Sequence, residues 1–231
     1  MATTYEQYTK ELRKSLGYMP TWLPGVPVFL GDTGQLSDQL FNRVTHLEPL
    51  GIAFEPVLDR SSDSFEHQTS GEVSIETTAA GAPSTGFARI ADAEAGVGIN
   101  FGRENAVVLS LRDVRAHRVS DVSALERQIR ERWDVWDDHW LVVTEVVTAT
   151  SATILISGSY DSRVELRAKA NVGVEGLELA NAEAHFEVAY SKGMHTQIVA
   201  ASGLTPLFRA IRVRVGIDFW GQERRGFELL P

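Results

Sequence analysis

Residues 164–174 read VELRAKANVGV, with Val, Leu or Ala at every even position and Glu, Arg, Lys, Asn or Gly at every odd one. A strict two-residue rhythm is the signature of a β-strand with one apolar and one polar face, and eleven residues is about twice the usual strand length. The rhythm recurs. Val73, Ile75, Thr77 and Ala79 alternate with polar residues, a turn-rich interval follows at residues 81–86, and Ala91, Ala93, Ala95, Val97, Ile99 and Phe101 resume the pattern. Beyond a turn at about residues 175–179, Ala180, Ala182, Ala184, Phe186, Val188 and Tyr190 alternate again. Two long hairpins are expected, over residues 72–102 and 164–190.

An eleven-residue strand spans about 36 Å at roughly 3.3 Å per residue and, tilted by about 40°, about 28 Å, close to the thickness of a bilayer core. A membrane-spanning strand needs one face for lipid and one for an aqueous lumen, inside a closed barrel that pairs every backbone group. An antiparallel sheet in water, apolar side on a core, produces the same alternation. Periodicity leaves both readings open.

The remaining sequence predicts α+β architecture. A helix is expected over Thr4–Leu16, with Thr3 and Glu6 at capping-box spacing, Tyr5, Tyr8, Leu12 and Leu16 on one stripe, and Gly17 as the stop. Residues 18–35, with Pro20, Pro24 and Pro27, predict an irregular or edge-strand segment. Leu36, Leu40, Phe41, Val44 and Leu47 suggest a short helix, and the serine-rich stretch from Asp59 to Gly71 an exposed loop. Ser123–Trp133 fits a helix capped by Ser123 and Glu126. Leu141–Thr148, Ala152–Ser157 and about Leu207–Val215 read as strands.

Composition narrows the function. No run of about 18 apolar residues encodes a transmembrane helix, and residues 1–17 are too polar for a signal peptide, so a cytoplasmic protein is expected. There is no cysteine, hence no thiol nucleophile, disulfide or thioester lipid anchor. A net charge of −9 argues against nucleic acid as a partner. Asp32-Thr33-Gly34 matches the core of an aspartic protease motif, but a second triplet is missing, and Asp and Gly favour turns. The glycines of GVGINFG miss the phosphate-loop spacing, and no two of the six histidines stand at metal-ligand spacing. Asp134, Asp137, Asp138 and His139 lack the ordered glycine-containing loop of a calcium site. The chain is therefore expected to be no enzyme and to need no metal or cofactor.

In order and spacing, ENAVVLSLRDV, LERQIRERW, HWLVVTEVVTATSATILI and GLTPLFRAIRVRV resemble the pore-forming domain of the gasdermin family, over roughly residues 72–215. The compact bacterial branch of that family is nearest in length. The resemblance implies a twisted, mostly antiparallel sheet with long hairpins and a few peripheral helices over residues 1–215, and a short C-terminal tail, 216–231. It further implies an inactive cytoplasmic state, proteolytic release of the tail, homo-oligomerisation on membrane lipid, and insertion of two hairpins into a large pore that lyses the cell as antiviral defence. The lipid-facing residues would be Val73, Ile75, Ala91, Ala93, Ala95, Val97, Ile99, Phe101, Val164, Leu166, Ala168, Ala170, Val172, Ala182, Ala184, Phe186, Val188 and Tyr190. Lys10, Arg13 and Lys14, or Arg209, Arg212 and Arg214, would meet lipid headgroups. Phe219, Trp220, Phe227, Leu229 and Leu230 would anchor an autoinhibitory tail, with cleavage near Arg224 or Arg225. The alternative from a different class is a soluble β-rich ligand-binding or scaffold protein without membrane activity.

Overall fold

The computed structural model describes residues 3–22, 26–59, 63–77, 83–84, 96–168, 186–217 and 223–229. Among them are the helices α1 (Thr4–Leu16) and α2 (Val122–Glu131) and a 3₁₀ turn at Glu48–Leu50. The strands are β1 (Met19–Pro20), β2 (Asp32–Ser37), β3 (Leu40–His46), β4 (Pro56–Leu58), β5 (Asp63–Gln68), β6 (Val73–Thr77), β7 (Pro83–Ser84), β8 (Gly96–Phe101), β9 (Val107–Val119), β10 (Leu141–Ser157), β11 (Ser162–Ala168), β12 (Phe186–Lys192), β13 (Met194–Ile217) and β14 (Glu223–Leu229). The fold is α+β, and the strand registers are antiparallel. Two compact units emerge: Met1–Arg60 with Arg115–Thr148 and Thr205–Pro231, and Ser61–Val114 with Ala149–Leu204. Strands β9, β10 and β13 contribute residues to both.

In the first unit α1 carries its expected capping box. The Glu6 N–H donates to Thr3 Oγ1 at 3.2 Å, and the Thr3 N–H donates to Glu6 Oε2 at 2.6 Å. Gly17 ends the helix at φ 70°, a left-handed conformation that glycine adopts without a Cβ clash. Tyr8 and Leu12 are fully buried, and the Trp22 ring stands 5.1 Å from that of Tyr5. Helix α2 begins one residue earlier than expected and ends at Glu131, two residues short of Trp133. Its N-cap is Asp121, whose carboxylate accepts from the Ala124 N–H at 2.8 Å, in place of Ser123. Leu125 and Ile129 bury against Leu47, Ile52, Val119, Trp136, Val142, Ile211 and Val213. A second cluster joins Met19, Val28, Leu141, Val143, Val146, Phe208 and Ala210.

The helix expected through Leu36–Leu47 is instead the β2–β3 hairpin, with Ser37 opposite Leu40. Asp38 and Gln39 form the two-residue turn at φ 50° and 69°, the left-handed pair that matches strand twist. Apolar residues at helical spacing misled because Val44 and its neighbours Asn42 and Arg43 are exposed, so no buried helical stripe exists. At the Thr33/Gly34 bulge the Asn42 carbonyl occupies the place where a Gly34 Cβ would stand. The loop expected over Asp59–Gly71 likewise contains a strand, β5, whose Phe65 faces Leu111 of β9. Serines there are compatible with a strand whose polar face meets water.

Asp32 sits at the start of this hairpin, opposite His46, and is 1% exposed. It accepts from the Phe29 N–H at 2.8 Å and faces the Arg43 guanidinium at 2.9 Å. Burial pushes its carboxyl above the ordinary carboxylate range, and the Phe29 N–H, Arg43 and His46 pull it only part of the way back.

In the second unit β9 takes β5 as a neighbour, and the Val107 N–H donates to Thr69 Oγ1 at 2.8 Å. Val107, Val108, Leu109, Leu111, Ala152, Ile154, Leu155 and Ile156 are fully buried. Expected as two strands, Leu141–Ser157 is one. Thr150 and Ser151 interrupt the apolar run without breaking the ladder, since Thr150 Oγ1 donates to Asp113 Oδ2 at 2.8 Å.

Two outcomes test this account. Gly34→Ala forces a Cβ onto backbone and should cost about 1–3 kcal/mol, read as a lower urea midpoint with unchanged slope. Asp32 binds a proton more tightly folded than unfolded. Its contribution to stability is therefore present below about pH 3.9 and lost as pH rises through its elevated folded value. Urea unfolding of Asp32→Asn should accordingly gain on the parent chain as pH rises from about 4 to 7; a constant or shrinking gain contradicts the assignment.

Candidate functional site: two adjacent hairpins and a paired tail

Both expected hairpins have paired legs. In the first, Val73, Ser74, Ile75, Glu76 and Thr77 stand opposite Phe101, Asn100, Ile99, Gly98 and Val97. In the second, Arg163 faces Lys192, Val164 faces Ser191, Leu166 faces Val188, and Ala168 faces Phe186. How the hairpins relate to each other is not readable from alternation, and the structure supplies it. Strand β8 pairs with β11, placing Val97 opposite Leu166 and Ile99 opposite Val164. The four legs thus form one sheet in the order β12, β11, β8, β6, with β7 beyond β6. Part of the turn-rich interval, Pro83–Ser84, folds back along Glu76 and Ile75.

Because cross-strand partners share a face, Ile75, Ile99 and Val164 form one apolar row, and Val97, Leu166 and Val188 another. Ile99, Val164 and Leu166 are fully buried; Val97, Phe101 and Ile75 nearly so. Val73 is half-buried. On the other face Arg163 pairs with Glu165 at 2.9 Å, and Asn100 Nδ2 donates to Ser74 Oγ at 3.4 Å. One expected lipid-facing residue departs from its row. A register shift at Glu165/Leu166 sets Tyr190 opposite Glu165, on the polar side, where it is 45% exposed. Strict alternation cannot reveal a one-residue bulge. Ala91, Ala93, Ala95, Ala170, Val172, Ala182 and Ala184 lie outside the described residues.

The C-terminal tail adds a strand that sequence reasoning missed. Strand β14 pairs with the last seven residues of β13, setting Leu229 opposite Ile211, Phe227 opposite Val213, Arg225 opposite Val215 and Arg224 opposite Gly216. Both expected cleavage positions are thus strand residues. Phe219, Trp220 and Leu230 lie outside the described residues.

Among the candidate headgroup contacts, Lys10 and Lys14 are exposed on α1, whereas Arg13 donates to Gln39 Oε1 at 2.8 Å. Arg209 is engaged within the fold. Its guanidinium donates to the Gly17 carbonyl at 3.1 Å and to Glu145 Oε2 at 3.2 Å, and lies 4.0 Å above the Tyr18 ring. Burial, with Glu145 accepting from the phenol at 2.6 Å, pushes Tyr18 up to about 12. A cation at the carbonyl end of α1 also suits the helix dipole.

Asp32 is held by Arg43, His46 and the Phe29 N–H, an arrangement with one carboxylate where shared-proton hydrolysis requires two. Asp137 accepts from the His139 N–H at 2.7 Å and from Gln35 at 3.4 Å. No cluster of three or more potential metal ligands occurs among the described residues. Nor is any helix among them long and apolar enough to cross a membrane, which says nothing of strands.

No family model matches the chain, and no curated protein does. Among solved structures the chain is similar to the cryo-EM structure of the gasdermin A3 membrane pore, at 12% identity and a TM-score of 0.34, over 98% of this chain and 95% of that one.

Proposed function

We propose that the chain forms pores in lipid bilayers by inserting the hairpins 72–102 and 164–190 once its C-terminal tail is released. The observation that carries this reading is the shared register of β6, β8, β11 and β12, which puts four successive legs side by side with their apolar residues on one face. A barrel strand must span about 9 to 11 residues. The described legs have 5 to 7, and the alternation of the sequence continues through Ala91–Ala95, Ala168–Val172 and Ala182–Ala184. The resemblance of residues 72–215 to gasdermin pore-forming domains points the same way.

In the resting chain Ile75, Val97, Ile99, Val164 and Leu166 of these rows are buried, while Val188 at the β12 end is 38% exposed. On a membrane the same rows face hydrocarbon, the polar rows of Arg163, Glu165 and Glu76 face a lumen, and neighbouring copies pair with β12 and, after β7 has left it, with β6. Exposed Lys10 and Lys14 meet anionic headgroups. The activating event is proteolysis of the tail by a protease that accepts arginine at Arg224 or Arg225. Because both are strand residues, β14 must open locally before it is cut. The chain rests in the cytoplasm, acts at the cell membrane, and serves lysis of an infected cell.

Dye-loaded anionic vesicles test the reading. A chain with a cleavable sequence placed between Ile217 and Glu223 should leave vesicles sealed until cut and empty them afterwards. Leu166→Asp or Ala168→Asp in the cut chain should slow leakage by at least about tenfold, because a carboxylate in every copy would face hydrocarbon. Glu76→Gln, on the lumen side, should stay within about twofold. Equal inertness of cut and uncut protein overturns pore formation and leaves the soluble sheet as the remaining reading.

A further inference from the structure

Seven residue pairs join β13 to β14, and at one of them alone do opposite charges stand directly across: Arg212 and Glu228. Arg214 faces Gly226, Gly216 faces Arg224, and Ile217 faces Glu223. Arg212 is also unusual in its own strand. Its Nε is buried without a hydrogen-bond partner among the described residues, on the face of β13 opposite to the one from which Ile211 and Val213 enter the core. A guanidinium placed there costs stability unless an opposite charge compensates it.

We propose that Arg212 and Glu228 form the electrostatic latch that holds the tail and fixes its register. Other registers fail for stated reasons. A one-residue slip sends Phe227 and Leu229 to the opposite face. A two-residue slip in one direction sets Arg214 against Arg224, and in the other sets Ile211 opposite Pro231. In the observed register Phe227 and Leu229 fall opposite the core residues Val213 and Ile211, and Glu228 falls opposite Arg212. Apolar pairs supply the adhesion, and the charge pair supplies the selectivity. The latch rests on the proposed function only for its consequence, that weakening it primes the chain for activation.

Hydrogen exchange of the 223–229 amides in the full chain tests the latch without any membrane. Arg212→Glu and Glu228→Arg should each speed that exchange by about threefold to tenfold, and the double reversal should return it to within about twofold of the parent. Exchange in the double variant as fast as in the faster single one overturns the latch. Should a reversal fail to fold, the neutral cycle decides: Arg212→Gln and Glu228→Gln should open the tail equally and the double variant no further, whereas additive opening overturns the proposal. Amides of β2 and β3 serve as the folding control. If the cycle shows coupling yet the opened variants leave vesicles sealed after cutting, the latch stands and pore formation falls.

Discussion

Pairing between β8 and β11 is the contact on which the second unit's architecture depends. A two-stranded ribbon is marginal in water, because half of its backbone groups and one whole face lack partners. Each predicted hairpin would be such a ribbon. Joining them along Val97–Leu166 and Ile99–Val164 gives a sheet with interior strands and a continuous apolar surface, and those residues are buried almost completely. The chain reaches this arrangement through strands β9 and β10, which lie between β8 and β11 in sequence and are themselves long and apolar. A Gly at 98 beside Arg163 keeps the polar face open enough for the Arg163–Glu165 pair.

Strand β13 has the corresponding role in the first unit. Met19 and Pro20 pair with Phe208 and Leu207, Arg209 takes the end of α1, and residues 211–217 take the tail. One strand therefore fastens the N-terminal helix and the C-terminal strand within eleven residues. Proline at position 20 suits the end of a two-residue edge strand, since it has no N–H to contribute to a longer ladder. The Tyr18–Glu145–Arg209 group adds a polar anchor where the apolar clusters end, and its elevated phenol keeps the Tyr18 proton available to Glu145 across the physiological range.

The sequence made some of this legible and hid the rest, for physical reasons. Thr3, Glu6 and Gly17 identify α1 because capping is local chemistry, readable within a few residues. The legs of both hairpins are legible because alternation is local too. Their adjacency is not, since it depends on pairing between strands some 65 residues apart, a property that no window of sequence contains. Residues 36–47 misled because apolar spacing of three and four fits a helix, while the turn at Asp38–Gln39 uses no glycine or asparagine to announce itself. The pairing of Leu229 and Phe227 with Ile211 and Val213 spans 18 and 14 residues, and only the register connects them.

If the chain inserts its hairpins as proposed, energetics makes the tail, rather than the hairpins, the natural place for control. Val97, Ile99, Phe101, Val164 and Leu166 have already left water in the resting chain, so moving them into hydrocarbon gains little transfer free energy. The alanines at 91, 93, 95, 168 and 170 would add still less per residue. On the proposed reading the driving force for insertion must come from elsewhere, chiefly from pairing β12, and β6 once β7 has left it, with neighbouring copies. That gain is collective, because an open strand edge in lipid costs several kcal/mol per unpaired group until the ring closes. Two nearly balanced burials separated by such a cooperative step can be governed by a small local term. A seven-residue strand carrying two apolar pairs and one charge pair is a term of that size.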